Sequence, residues 1–272
     1  MRKHPVATIA TILAFVLMLA PIPLLVWMSF FDSRFLVFPP QNGYTLDWYT
    51  GLHRQTVLFR ALGTSLILAL IAALISTFVG MLGAFAVSRS RIPGRRAAAN
   101  LFLLPLIVPS ITSGLALYLY LYNLEGILNL ELVPQLATLV AAHVVITLPW
   151  TFRFMATGIG SISPHVERAS LSLGRGPMYT FFLVTLPLLR PSVIGAALLA
   201  FVFSFGDLEI SLFLIGPGET TLPVAMVQYA SFQVDPTIAA IAVVQIAIIA
   251  VILFVGDRFF KFGNVFSGGS KQ

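Results

Sequence analysis

Six runs of this chain are each long and apolar enough to cross a lipid bilayer, which leaves little freedom over what it can become. They fall at about 7–30, 63–88, 98–122, 134–159, 178–205 and 237–256; a spanning helix needs roughly 20 mostly apolar residues. Of the 272 residues, 58% are apolar and 10% charged, where a soluble domain carries about 25% charge. A globule of this size would lack the polar surface to stay in water. The expected fold class is all-α: a polytopic membrane protein with six transmembrane helices. The first run follows Arg2 and Lys3 as a signal peptide would. It is longer than an h-region and no small-x-small cleavage site follows it, so it is read as an uncleaved first helix. The chain has no cysteine, which excludes disulfides, thiolate metal sites and cysteine nucleophiles.

Charge sets the orientation. With the N-terminus in the cytoplasm, 13 of the 16 lysines and arginines fall on inner segments, Arg91, Lys261 and Lys271 among them, and only Arg34, Arg54 and Arg60 fall outside. This is the positive-inside pattern, and it puts both termini in the cytoplasm. The formal charge of +6 is thus an orientation signal, and no nucleic-acid partner is expected.

The spans are poor in ionisable residues, which an ion-coupled carrier keeps at depth. His143 is the one such residue near mid-membrane, and it is read as a neutral histidine hydrogen-bonded between helices. Helix breakers say more. Pro105, Pro109 and Gly114 interrupt the third span, Pro149 the fourth, and Pro187 and Pro191 the fifth. Carbonyls freed by proline cannot be satisfied by lipid, so such helices pack inside a bundle or line a cavity. Ser110, Ser113, Ser204 and Gln245 accompany these spans and are candidates for a substrate pathway. The second span, with its GMLGAFA stretch, is suited to close helix contacts. Beyond the fifth span, Asp207 and Glu209 precede an apolar run too short to cross the membrane, followed by Gly216, Pro217 and Gly218. Acids at an outer mouth would concentrate a cationic substrate.

The segment HVERASLSLGRGP at 165–177 lies in the inner loop between the fourth and fifth spans. Ser163 can cap a helix, Pro164 suits its first position, and Glu167 sits where the helix dipole favours an anion. Val166, Ala169, Ser170 and Leu173 share one face, and Gly174 is placed to end the helix in the left-handed conformation. The predicted product is a short helix with a small apolar face, shaped either to fill a groove on a partner or to lie on the membrane as a connector.

The stretch ERASLSLGRGPMYTFFLVTLPLL resembles the signature loop of binding-protein-dependent ABC importer permeases, which reads E-A-A, three residues, G, nine residues, I-x-L-P. Ala169, Ser170, Gly174, Val184, Leu186 and Pro187 match at those spacings. Nearly the whole chain is similar to the polyamine-type branch, through FPPQNGYTLDWY, GDLEISLFLIGPG and TLPVAMVQYASFQVDPTIAA. One position departs: Arg168 stands where the family has its glutamate, and Glu167 lies one residue earlier.

The resemblance implies a MetI-like core at 61–256, an N-terminal helix and periplasmic loop at 1–60, and a cytoplasmic tail at 257–272. It implies a bacterial inner-membrane location and a coupling helix containing Glu167, Arg168, Ala169, Ser170, Leu171, Leu173 and Gly174. The implied partners are a cytoplasmic ATPase dimer that binds ATP and Mg, a second homologous permease and a periplasmic substrate-binding protein. The implied cargo is a small cationic solute such as putrescine or spermidine. No cofactor or metal is expected in this chain, which has no Walker A pattern. An ion-coupled carrier would need intramembrane charges. An intramembrane enzyme would need a catalytic set at depth, and neither HExxH nor GxSxG is present.

Overall fold

The computed structural model describes residues 5–40, 42–89, 93–133, 135–216 and 218–260. Arg2, Lys3, Arg91, Lys261 and Lys271, which enter the charge count above, and Pro217 lie outside the described residues. Along the chain run α1 (Pro5–Leu19), α2 (Pro21–Met28), α3 (Asp47–Thr50), α4 (Thr56–Arg89), α5 (Arg95–Leu103), α6 (Ser110–Leu128) and α7 (Leu136–Ser161). They are followed by α8 (Pro164–Ser172), α9 (Pro177–Thr180), α10 (Leu186–Phe205), α11 (Ser211–Leu214), α12 (Leu222–Phe232) and α13 (Pro236–Phe260). Among the described residues there is no strand, only isolated bridges.

Among the described residues, five helical segments are long and apolar enough to cross a membrane: Thr8–Met28, Thr56–Arg89, Leu136–Ser161, Pro177–Phe205 and Pro236–Arg258. The third predicted span is not a straight rod. The segment Arg95–Leu106 meets Ser110–Leu128 at 98°, and the count reaches six when this bent pair is one span. The break sits where the prolines are. Pro105 lies in a 3-10 turn at Leu104–Leu106, and Pro109 is the extended residue before α6. Gly114, expected to interrupt the span, instead lies buried within α6. A Cβ there would stand 2.9 Å from the Phe213 ring and 3.1 Å from the Ile210 Cα, so glycine lets α6 approach α11 closely. The 11-residue α12 was not anticipated from sequence.

The chain forms two compact units, Met1–Phe59 with Ala225–Ile249, and Arg60–Val224 with Ala250–Gln272. In the first, Trp48 Nε1 donates to the Phe31 carbonyl at 2.7 Å, and buried Asp235 caps α13 by accepting from the Thr237 N–H at 2.9 Å.

The second unit is organised around α7, which packs most extensively against α10. Towards one end of α7, Leu139, Val140 and Ala142 form a core with Leu68, Ile210 and Leu214. Towards the other, Phe152, Met155 and Ile159 pack with Ala84, Leu189 and Ala196. The close approach of α4 and α10 to α7 relies on glycine. A side chain at Gly80 would overlap Thr151, and one at Gly158 would overlap Ser192. Pro149 leaves α7 continuous, with hydroxyls bonding backbone on either side of it. Thr147 Oγ1 donates to the His143 carbonyl at 2.7 Å, and Thr151 Oγ1 to the Ser76 carbonyl at 2.8 Å.

Candidate functional site

Two polar sites lie in the second unit, near opposite ends of α10. The first is built on α8. The Ser163 hydroxyl accepts the His165 N–H at 3.4 Å and Pro164 occupies the first turn. At the far end Gly174 has φ +79°. Its N–H bonds the Leu171 carbonyl at 3.0 Å, and the Arg175 N–H bonds that of Ser170 at 3.4 Å. This is the paired 5→2 and 6→1 closure of a Schellman motif.

Glu167 faces inward. Its Oε2 lies 3.0 Å from Arg89 Nε at the end of α4, and its Oε1 accepts from Arg89 Nε and from the Thr185 hydroxyl, each at 3.2 Å. The same guanidinium reaches the end of α7 through Nη2, which donates to the carbonyls of Ile159 at 3.2 Å and Ile162 at 3.0 Å. One arginine thus ties α4, α7 and α8 together. Thr185 belongs to a π turn at Phe181–Thr185. Pro187 follows it and has no N–H to return to the preceding turn.

Ser170 differs from its expected place on the outer apolar face. It is buried, and its hydroxyl bonds Thr180 at 2.9 Å, because the Gly174–Pro177 turn brings the chain back beneath α8. Val166, Arg168, Ala169, Leu171 and Leu173 remain exposed.

The second site begins with His143, fully buried on α7. Its Nδ1 is 2.8 Å from Ser204 Oγ on α10 and its Nε2 is 3.0 Å from Ser211 Oγ at the start of α11. The Ser211 hydroxyl is also 3.2 Å from Asp207 Oδ2. The carboxylate only accepts, so Ser211 donates to it. Ser211 then accepts from His143 Nε2–H, and Nδ1 accepts from Ser204. The histidine is hydrogen-bonded between helices, as read from the sequence, and an imidazole protonated on Nε2 fits these contacts.

Asp207 Oδ2 further accepts the N–H groups of Ile210 at 3.2 Å and Ser211 at 3.1 Å. His143 Nε2 is 3.8 Å from it. Asp207 lies two residues beyond the Pro177–Phe205 span. Burial raises its carboxyl above the usual carboxylate range, against the lowering effect of the Ser211 and Ile210 donors.

Asp207 also opens onto a cavity of 480 Å³ at the bend before α6. Ser110, Ser113, Ile146, Trp150 and Phe203 share that lining, and Trp150 and Phe203 stack at 4.7 Å. Three of the pathway candidates, Ser110, Ser113 and Asp207, therefore meet in one recess. Ser204 is buried in the histidine chain and does not line it, and Glu209 is exposed outside it. Gln245 lies half-buried on α13 within the first unit. The aromatic pair and the Arg89 link were not singled out from sequence. The charge at the end of a long apolar run was the available signal for Arg89.

Relatives agree with this architecture. Over 254 residues the chain is 29% identical to the putrescine transport system permease protein PotI of Escherichia coli (strain K12), covering 93% of this chain and 90% of that one. It is 29% identical to the putative 2-aminoethylphosphonate transport system permease protein PhnV of Salmonella typhimurium, over 93% of each. It is 28% identical to the spermidine/putrescine transport system permease protein PotC of Haemophilus influenzae, over 84% of this chain and 86% of that one. Among solved structures, a chain of the bacterial ABC transporter that imports the acidic polysaccharide alginate superposes with TM-score 0.69 at 15% identity, over 96% of this chain and 98% of that one. The MetNI methionine ABC transporter, in inward-facing form, gives TM-score 0.62 at 19% identity, over 77% and 97%. Residues 76–262 match the model of the binding-protein-dependent transport system inner membrane component. With the bent third span, the α8 loop and this match in hand, the chain belongs to that family of transport permeases.

Proposed function

We propose that this chain is one half of the translocation pathway of an ATP-driven importer for a small organic solute carrying a primary ammonium group. The observation that carries the substrate class is the recess at the α6 bend, where the Asp207 carboxylate, two serine hydroxyls and a stacked aromatic pair converge. A carboxylate supplies charge and hydrogen-bond acceptors to an ammonium, hydroxyls supply further acceptors, and aromatic faces attract a cation. The three relatives named above are described as carrying putrescine, spermidine or 2-aminoethylphosphonate. These compounds share an amino group.

In this reading a periplasmic binding protein delivers the solute, and a second homologous permease completes the pore. A cytoplasmic ATPase dimer, holding ATP and Mg, drives the cycle through α8. Residues 61–256 form the transport core, and both termini face the cytoplasm. Proteoliposomes containing the permease pair, its ATPase and its binding protein test this. Putrescine uptake that is blocked by vanadate and insensitive to an uncoupler is expected. Uptake that an uncoupler abolishes and vanadate spares would overturn it.

A further inference from the structure

α8 allots its charges in a way that bears on what it touches. Between Ser163 and Tyr179 the acids are limited to Glu167, and that residue is already engaged. Both of its oxygens contact Arg89, one also takes the Thr185 hydroxyl, and its side chain is 15% exposed. Turning it outward would leave a half-buried guanidinium without its counter-charge and the Thr185 hydroxyl without its acceptor. Arg168, about 100° further round the helix, is exposed. Arg175 is exposed as well, its guanidinium 4.4 Å from the centre of the Tyr179 ring. The outward surface of this segment thus holds two guanidiniums and no carboxylate, set among exposed Val166, Ala169 and Leu171.

We propose that the surface receiving α8 is acidic: a groove of the cytoplasmic ATPase subunit that presents a carboxylate to Arg168. The charge across the contact then runs cationic on the permease and anionic on the ATPase. This rests on the reading of α8 as the helix that docks on the ATPase. The construction of α8 favours a protein groove over a lipid surface. Its cap, its Schellman closure and the Arg89 and Thr180 bonds hold it in one geometry. Such preorganisation lowers the ordering cost of a shape-specific contact, and a fluid headgroup layer makes no use of it.

The test embeds the permease pair in nanodiscs of zwitterionic lipid and titrates the cognate ATPase. Arg168→Glu, at an exposed position, should leave the thermal transition unchanged and weaken ATPase binding by about tenfold or more, with Arg168→Gln intermediate. Wild-type binding should weaken with salt, and the Arg168→Glu permease should be restored by replacing one groove carboxylate of the ATPase with arginine. If Arg168→Glu binds more tightly than wild type, the inverted polarity is overturned and α8 docking stands; if it binds equally, Arg168 is not at the contact and the proposal is overturned. If the wild-type permease fails to hold the ATPase at all, docking itself fails and this proposal falls with it. If, in a second set of nanodiscs containing phosphatidylglycerol, Arg168→Glu spares ATPase binding and only loosens attachment of that lipid, the headgroup is the partner and the proposal is overturned.

Discussion

Glu167 and Asp207 are both carboxylates beside a basic side chain, yet they are held in opposite ways. Glu167 has a guanidinium at 3.0 Å that also grips two backbone carbonyls. Asp207 is held by two backbone N–H groups and a serine hydroxyl, with a fully buried imidazole 3.8 Å away that is linked to it through Ser211. The first charge is cancelled within the protein and serves to fix a helix. The second is oriented but not cancelled, and it borders a cavity. The difference separates a structural acid from one that can receive a cation.

The sharpest way to break the comparison is at Arg89. Arg89→Leu removes the counter-charge and both carbonyl contacts, and should destabilise the protein by about 3 kcal/mol, within the range for splitting a largely buried pair. Arg89→Lys should recover only part of this, because one ammonium cannot reproduce the fork. Unfolding in mixed micelles measures both, and equal stability of Arg89→Leu and wild type would show that Glu167 is not anchored there.

Asp207→Asn should behave differently. The amide oxygen can still accept from Ile210 and Ser211, so stability should change little, while half-saturation for putrescine uptake should rise about tenfold, the loss expected for one charged hydrogen bond. The pH dependence has a definite sign. Burial raises the Asp207 carboxyl, and only the ionised form attracts an ammonium. Uptake should therefore fall on acidification at a pH above the ordinary carboxylate range. Asp207→Asn should lose that limb, and an unchanged profile would count against Asp207 as the cation's partner.

Gly174→Val should cost about 1–2 kcal/mol at the α8 turn, since its positive φ is unfavourable for an L side chain. It should uncouple ATP hydrolysis from uptake while membrane insertion proceeds. Wild-type uptake in this variant would remove Gly174 from the coupling element. The smallest effect is expected from Thr180→Ala, which strands one buried hydroxyl of Ser170. It should lower stability by about 1 kcal/mol and leave putrescine affinity unchanged.

Much of this could be read in the sequence because it is local. The cap at Ser163, Pro164 in the first turn and the reversal at Gly174 depend on neighbours a few residues apart. The prolines at 105 and 109 marked the break in the third span, although nothing local dictates a 98° bend. The links that give the sites their character are distant in the chain. Arg89 and Glu167 are 78 residues apart and His143 and Ser211 are 68 apart, so periodicity carries no trace of either. Ser170 was misplaced for the same reason. Helical spacing groups it with Val166 and Leu173, but its hydroxyl is claimed by Thr180 once the chain doubles back.

The Arg89 contact also has a mechanical meaning. It sits at the tip of a 34-residue helix, a rod of about 50 Å at 1.5 Å per residue. Moving that tip by about 1 Å inclines the rod by only about 1°. A displacement of α8 would thus reach the far side of the membrane as a small tilt of a stiff lever, with little local distortion along the way.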